Sequence, residues 1–153
     1  METRLPPDFS ELLSSLNASG VEYLLVGGYA VIYYGYPRAT GDIDVWVRQS
    51  PDNAERVVTA LRAFGFDVPG LVPTALLGDD KIIRMGVPPN RAKVFTSVSG
   101  VSFDECWAQR EVVDWGGVEV PVIGLRDLRR NKRASGRPAD LDELPAPPSA
   151  EGE

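Results

Sequence analysis

The chain alternates between apolar stripes of two periods, and the period names the element. From Pro7 to Leu16 the apolar positions Phe9, Leu12, Leu13 and Leu16 recur at helical spacing, with Gly20 beyond them, which predicts a first amphipathic helix. Tyr23-Leu24-Leu25-Val26 is a short β-prone run that stops at Gly27-Gly28, and Tyr29 to Tyr34, closed by Gly35, predicts a short buried helix. Gly41-Asp42-Ile43-Asp44-Val45-Trp46-Val47 predicts a strand over Asp42 to Arg48. Ser50-Pro51 then opens a helix as N-cap followed by first-turn proline. Its apolar face is Ala54, Val57, Val58, Leu61 and Phe64, and Gly65 stops it.

The second half repeats the alternation with shorter elements. Gly70 to Leu77 predicts a loop with one helical turn. Lys81 to Met85 and Ala92 to Thr96 predict strands joined across Gly86-Val87-Pro88-Pro89-Asn90, and Ser102 to Gln109 predicts a short helix. Glu111 to Trp115 and Val118 to Val122 flank Gly116-Gly117, a turn suited to positive φ at both central residues, so a hairpin is expected. A helix follows over Leu125 to Ala134, broken by Gly136-Arg137-Pro138, with a final short helix expected over Ala139 to Leu144. The expectation is a single α+β domain over residues 1–144, with residues 145–153, rich in proline and polar residues, as a disordered tail.

Composition narrows the chemistry. The 153 residues suffice for one real core. The net charge of −6 argues against broad nucleic-acid binding, leaving room only for a local basic patch. The chain has one cysteine, Cys106, and no histidine. An internal disulfide framework and histidine acid–base catalysis are therefore excluded, and a zinc site of the His/Cys type nearly so. No run approaches the ~20 apolar residues of a membrane span, and no signal peptide opens the chain, so the expected location is the cytoplasm.

Asp42 and Asp44 carry the most chemistry. A strand's period of two points both to one face, and two carboxylates that close invite a cation between them. Mg²⁺ prefers such oxygen ligands and keeps waters or substrate phosphates as its others. An isolated D-x-D more often opens an exposed strand, so the upstream context decides. Gly27-Gly28 stands between a strand and a helix, where backbone N–H groups can approach a phosphate, and Pro37-Arg38-Ala39-Thr40 precedes the carboxylates. Arg38 suits a phosphate or a carboxylate, and Thr40 suits a loop cap or a ligand contact.

As a set, "LLVGGYAVIYYGYPRATGDIDVWV" resembles the nucleotidyltransferase signature of the DNA polymerase β superfamily, and more closely the small bacterial nucleotidyltransferase-like proteins of toxin–antitoxin and abortive-infection systems. The resemblance implies a mixed β-sheet flanked by helices, with Asp42 and Asp44 as catalytic metal ligands for Mg²⁺ or Mn²⁺. It further implies nucleotide contacts from Gly27, Gly28, Arg38 and Thr40, and transfer of a nucleotidyl group from an NTP to an RNA (such as tRNA) or protein hydroxyl, with a cognate toxin or antitoxin as partner and no membrane. The segment "GLRDLRRNKRASGRPADLDEL" resembles the same family's C-terminal helix. That match implies Lys132 and Arg137 on the triphosphate or on neighbouring acidic groups, and Asp140 and Asp142 as structural or secondary metal positions.

One departure matters. The family's third metal-binding carboxylate falls where this chain has Lys93. Three readings stay open: a degenerate fold that binds nucleotide or partner without turnover, a site that uses a single metal and recruits another acid such as Asp104 or Glu105, or a register in which Lys93 faces the other side of the sheet.

Overall fold

The computed structural model describes residues 4–36, 41–86 and 91–135. Five helices and six strands form among them: α1 (Pro7–Ala18), β1 (Tyr23–Val26), α2 (Gly27–Tyr33), β2 (Asp42–Val47), α3 (Pro51–Phe64), a 3-10 turn (Pro73–Leu76), β3 (Ile82–Met85), β4 (Arg91–Phe95), α4 (Phe103–Ala108), β5 (Glu111–Trp115), β6 (Val118–Val122) and α5 (Leu125–Ser135). The final short helix and the tail expected beyond Ser135 lie outside the described residues, as do Arg38, Thr40, Arg137, Asp140 and Asp142.

The strands make one mixed sheet in the order β3-β4-β2-β1-β6-β5. The pairs β3–β4, β2–β1 and β6–β5 are antiparallel, while β2–β4 and β1–β6 are parallel. The fold class is α+β, as the pattern predicts. Ile43, Val45 and Val47 are fully buried, which commits that face of β2 to the core and leaves Asp42 and Asp44 on the other. Trp46 shares the carboxylate face, and its ring meets Phe103 of α4 edge-on at 5.1 Å.

Local chemistry explains the connections. Ser50 Oγ accepts from Asn53 N at 3.1 Å to cap α3, with Pro51 at its first position. The buried Asn53 side chain then bridges two strands: Oδ1 accepts from Glu22 N at 2.8 Å, while Nδ2 donates to Glu22 O at 3.1 Å and to Arg48 O at 2.9 Å. This anchors the start of α3 to the entry of β1 and the exit of β2. Arg48 itself pairs with Glu22 and Asp104 and lies over the Phe103 ring, tying β2 to α4. The β5–β6 hairpin turns at Gly116 (φ 66°) and Gly117 (φ 91°), as its Gly-Gly pair requires.

One boundary differs from the sequence expectation. Helix α2 begins at Gly27, so the glycine pair forms the helix's first residues instead of a turn ahead of it. Gly27 itself has φ 69°, outside helical geometry. A glycine there converts the extended Val26 into helix within a single residue.

Candidate functional site

The site is built where β1 ends, β2 begins and α5 passes over. Val26 lies opposite Asp44 in the antiparallel β1–β2 pair, so the last residue of β1 delivers Gly27 beside that carboxylate. The approach is close enough to demand glycine: a Cβ on Gly27 would fall 2.2 Å from Asp44 Oδ2. Gly27, Asp44, Ser97, Asn131, Lys132 and Ser135 are among the residues lining a cleft of about 290 Å³. Lys132 is only 7% exposed, an unusual state for a lysine and one that commits its ammonium to the site's polar surroundings. Gly28 is buried within α2 and is not among the cleft-lining residues.

Strand β4 settles the position of Lys93. The parallel register sets Arg91 opposite Asp42 and Lys93 opposite Asp44, so both cations share the face of the carboxylates. Lys93 Nζ lies 3.3 Å from Asp42 Oδ2. Arg91 donates from Nε to Asp42 Oδ1 at 3.2 Å and from Nη2 to Asp42 Oδ2 at 3.3 Å, a two-pronged guanidinium–carboxylate pair. The reading in which Lys93 faces the other side of the sheet is thus corrected: pairing with β2 dictates its side, because opposite residues of neighbouring strands point the same way.

Recruitment of another acid is also corrected. Asp104 is paired with Arg48 and its side chain is 83% exposed. Glu105 lines a separate cleft with Glu111, Arg126 and Arg130. Among the described residues no group of three His, Cys, Asp or Glu side chains could hold a metal ion. Asp42 has both oxygens engaged by cations of the protein, and beside it, where the resemblance led one to expect a third acid, stands the Lys93 ammonium, which has no lone pair to offer a metal. The residues present therefore do not fit a two-metal centre.

Sequence reasoning did not identify Arg91. Its signal was the alternation Arg91-Ala92-Lys93-Val94-Phe95, which puts the two cations on one face and Ala92 and Val94, both buried, on the other. Arg84, opposite Lys93 on β3, extends the same basic row to the sheet edge. On α5, Arg129 turns elsewhere and donates from Nη2 to the hydroxyl of Tyr36 at 3.2 Å.

A mixed sheet with the D-x-D strand beside a glycine-led helix, and a basic helix closing the cleft, is a nucleotidyltransferase-like fold. One matching solved structure is described as a "putative nucleotidyltransferase" from Thermotoga maritima: it shares 15% identity, covers 89% of this chain and 87% of its own, and superposes with a TM-score of 0.60. No protein-family model matches the chain. No curated protein matches it either.

Proposed function

We propose that this chain is a nucleotide-binding module on a nucleotidyltransferase fold, in which the phosphates of an NTP enter the cleft between Gly27, Asp44 and Lys132. The observation that carries the reading is the convergence of these three residues, from α2, β2 and α5, on one cleft. Lys132 supplies a nearly buried cation, and such a charge is worth more to a phosphate than an exposed one because water screens it less. Calorimetric titration of the chain with ATP, GTP, CTP and UTP tests this. Binding of at least one NTP is expected, weakened about tenfold or more in Lys132→Met, the loss of one charge-assisted hydrogen bond. Absence of binding by all four overturns the reading.

A second reading is a metal-dependent transferase that uses Mg²⁺ or Mn²⁺ at Asp42 and Asp44. It would move a nucleotidyl group to a tRNA, other RNA or protein hydroxyl, with a toxin–antitoxin or phage-defence partner. It is favoured by the retention of both carboxylates on the cleft side of β2. Incubation with labelled NTPs, divalent metal, tRNA and cell lysate distinguishes the two. Label transfer that disappears in Asp42→Ala/Asp44→Ala establishes the transferase, and no transfer by the wild type leaves the binding module.

A further inference from the structure

We infer that Arg91 and Lys93, which do not line the cleft but stand beside its Asp44 wall on the same face of the sheet, serve as the site's built-in cations, so that the phosphates of a nucleotide bind here without a divalent metal. The inference rests on the nucleotide-binding reading above and deepens it. Its first support is geometric. Asp42 receives three contacts between 3.2 and 3.3 Å from two cationic side chains, covering both of the oxygens a metal would use. The second is register. Arg84, Lys93 and Asp44 lie in one row across three strands, with Arg91 and Asp42 in the next, so the arrangement is fixed by the sheet and not by a chance rotamer. The third is the charge of the neighbourhood. On this face of the sheet the register sets Arg84, Arg91 and Lys93 against Asp42 and Asp44, an excess of positive charge in a chain whose net charge is −6.

A divalent ion entering here would have to displace the guanidinium and ammonium from Asp42 and then remain beside both of them, a like-charge arrangement that half-burial makes costly. A phosphate chain meets the opposite situation. Lysine and arginine donate to its oxygens directly, and Asp42, already paired with both of them, repels it little. Free ATP, which carries more negative charge than its Mg²⁺ complex, is the better partner for such a site.

The experiment titrates the full chain with ATP in EDTA and in excess Mg²⁺, and separately with Mn²⁺ alone, followed by the Mn²⁺ electron paramagnetic resonance signal. Wild type is expected to bind ATP at least as tightly in EDTA as in Mg²⁺, and to leave the Mn²⁺ signal unchanged. Lys93→Asp is expected to lose about tenfold or more of its affinity for ATP in EDTA, to recover it with Mg²⁺, and to bind Mn²⁺. Arg91→Gln, a milder change at an exposed strand end, is expected to weaken ATP binding in EDTA in the same direction, with circular dichroism confirming that each variant is folded. ATP binding by wild type that requires Mg²⁺, or saturable Mn²⁺ binding by wild type, overturns the inference while the nucleotide-binding reading stands. No NTP binding under either condition overturns that reading and the inference with it.

Discussion

Gly27 and Asp44 constrain one another. The glycine's left-handed backbone alone would cost an alanine about 1–2 kcal/mol, and the added methyl would also collide with the Asp44 carboxylate. Gly27→Ala is therefore expected to lower stability by at least that amount in urea denaturation and to weaken ATP binding, because Asp44 must move. An unchanged urea midpoint together with unchanged affinity would show that the contact is dispensable. Lys93 makes the complementary point about charge. A single side chain of the wrong sign, placed by register on the carboxylates' face, alters the chemistry open to the site while leaving the strand intact.

Among the elements, the junction of β1, β2 and α3 depends on Asn53. Its amide satisfies one backbone N–H and two backbone carbonyls in a buried position, so Asn53→Ala leaves those groups without partners and is expected to cost about 2–3 kcal/mol. Asn53→Asp keeps the acceptor for Glu22 N but loses both donations, and is expected to be similarly damaging. Ser50→Ala removes only the α3 cap, at about 1 kcal/mol. Thermal unfolding of the three variants checks the ranking, and a Ser50→Ala loss as large as that of Asn53→Ala would contradict it. Because β2 carries Asp42 and Asp44, slackening this junction should also reduce ligand affinity, although Asn53 is not among the cleft-lining residues.

Across the whole molecule, the titrating groups of the interior predict how the fold fails. Burial pushes the Cys106 thiol up to about 12, with the neighbouring Asp127 adding to the effect. Burial likewise raises the Tyr33 hydroxyl to about 12, helped by its hydrogen bond to Glu111, and raises Tyr23 and Tyr34 further. In each case the folded chain holds its proton beyond the pH at which the unfolded chain releases it. The stabilisation is complete below about pH 9, the ordinary thiol value, and is lost as pH rises through about 12. Stability measured by chemical denaturation is expected to fall across that window, and Cys106 should resist alkylation at pH 8 until the chain unfolds. A stability profile flat from pH 9 to 12 would contradict this account. No described helix is long and apolar enough to cross a membrane.

Most of the elements were legible along the chain, because helix and strand periods, the Ser50-Pro51 cap and the Gly116-Gly117 turn are local signals that burial later reinforces. The D-x-D pair was legible too, since alternation alone puts Asp42 and Asp44 on one face. The start of α2 was less so. A glycine pair reads equally as a turn or a helix entry until the neighbouring carboxylate shows why no side chain fits at Gly27. Arg91 and Lys93 share a face by sequence alone, but which carboxylate they meet depends on the parallel pairing of β2 with β4, two strands separated by α3 and β3 along the chain. That register is set by burying Ile43 and Val45 with Ala92 and Val94, a condition no short window of sequence contains. The same holds for Lys132, which lines one cleft with Asp44 only once α5 has packed into place. The sequence by itself determined the elements and the acid pair; the tertiary structure alone decided which cations meet that pair, because pairing between distant strands is chosen by the core they bury together.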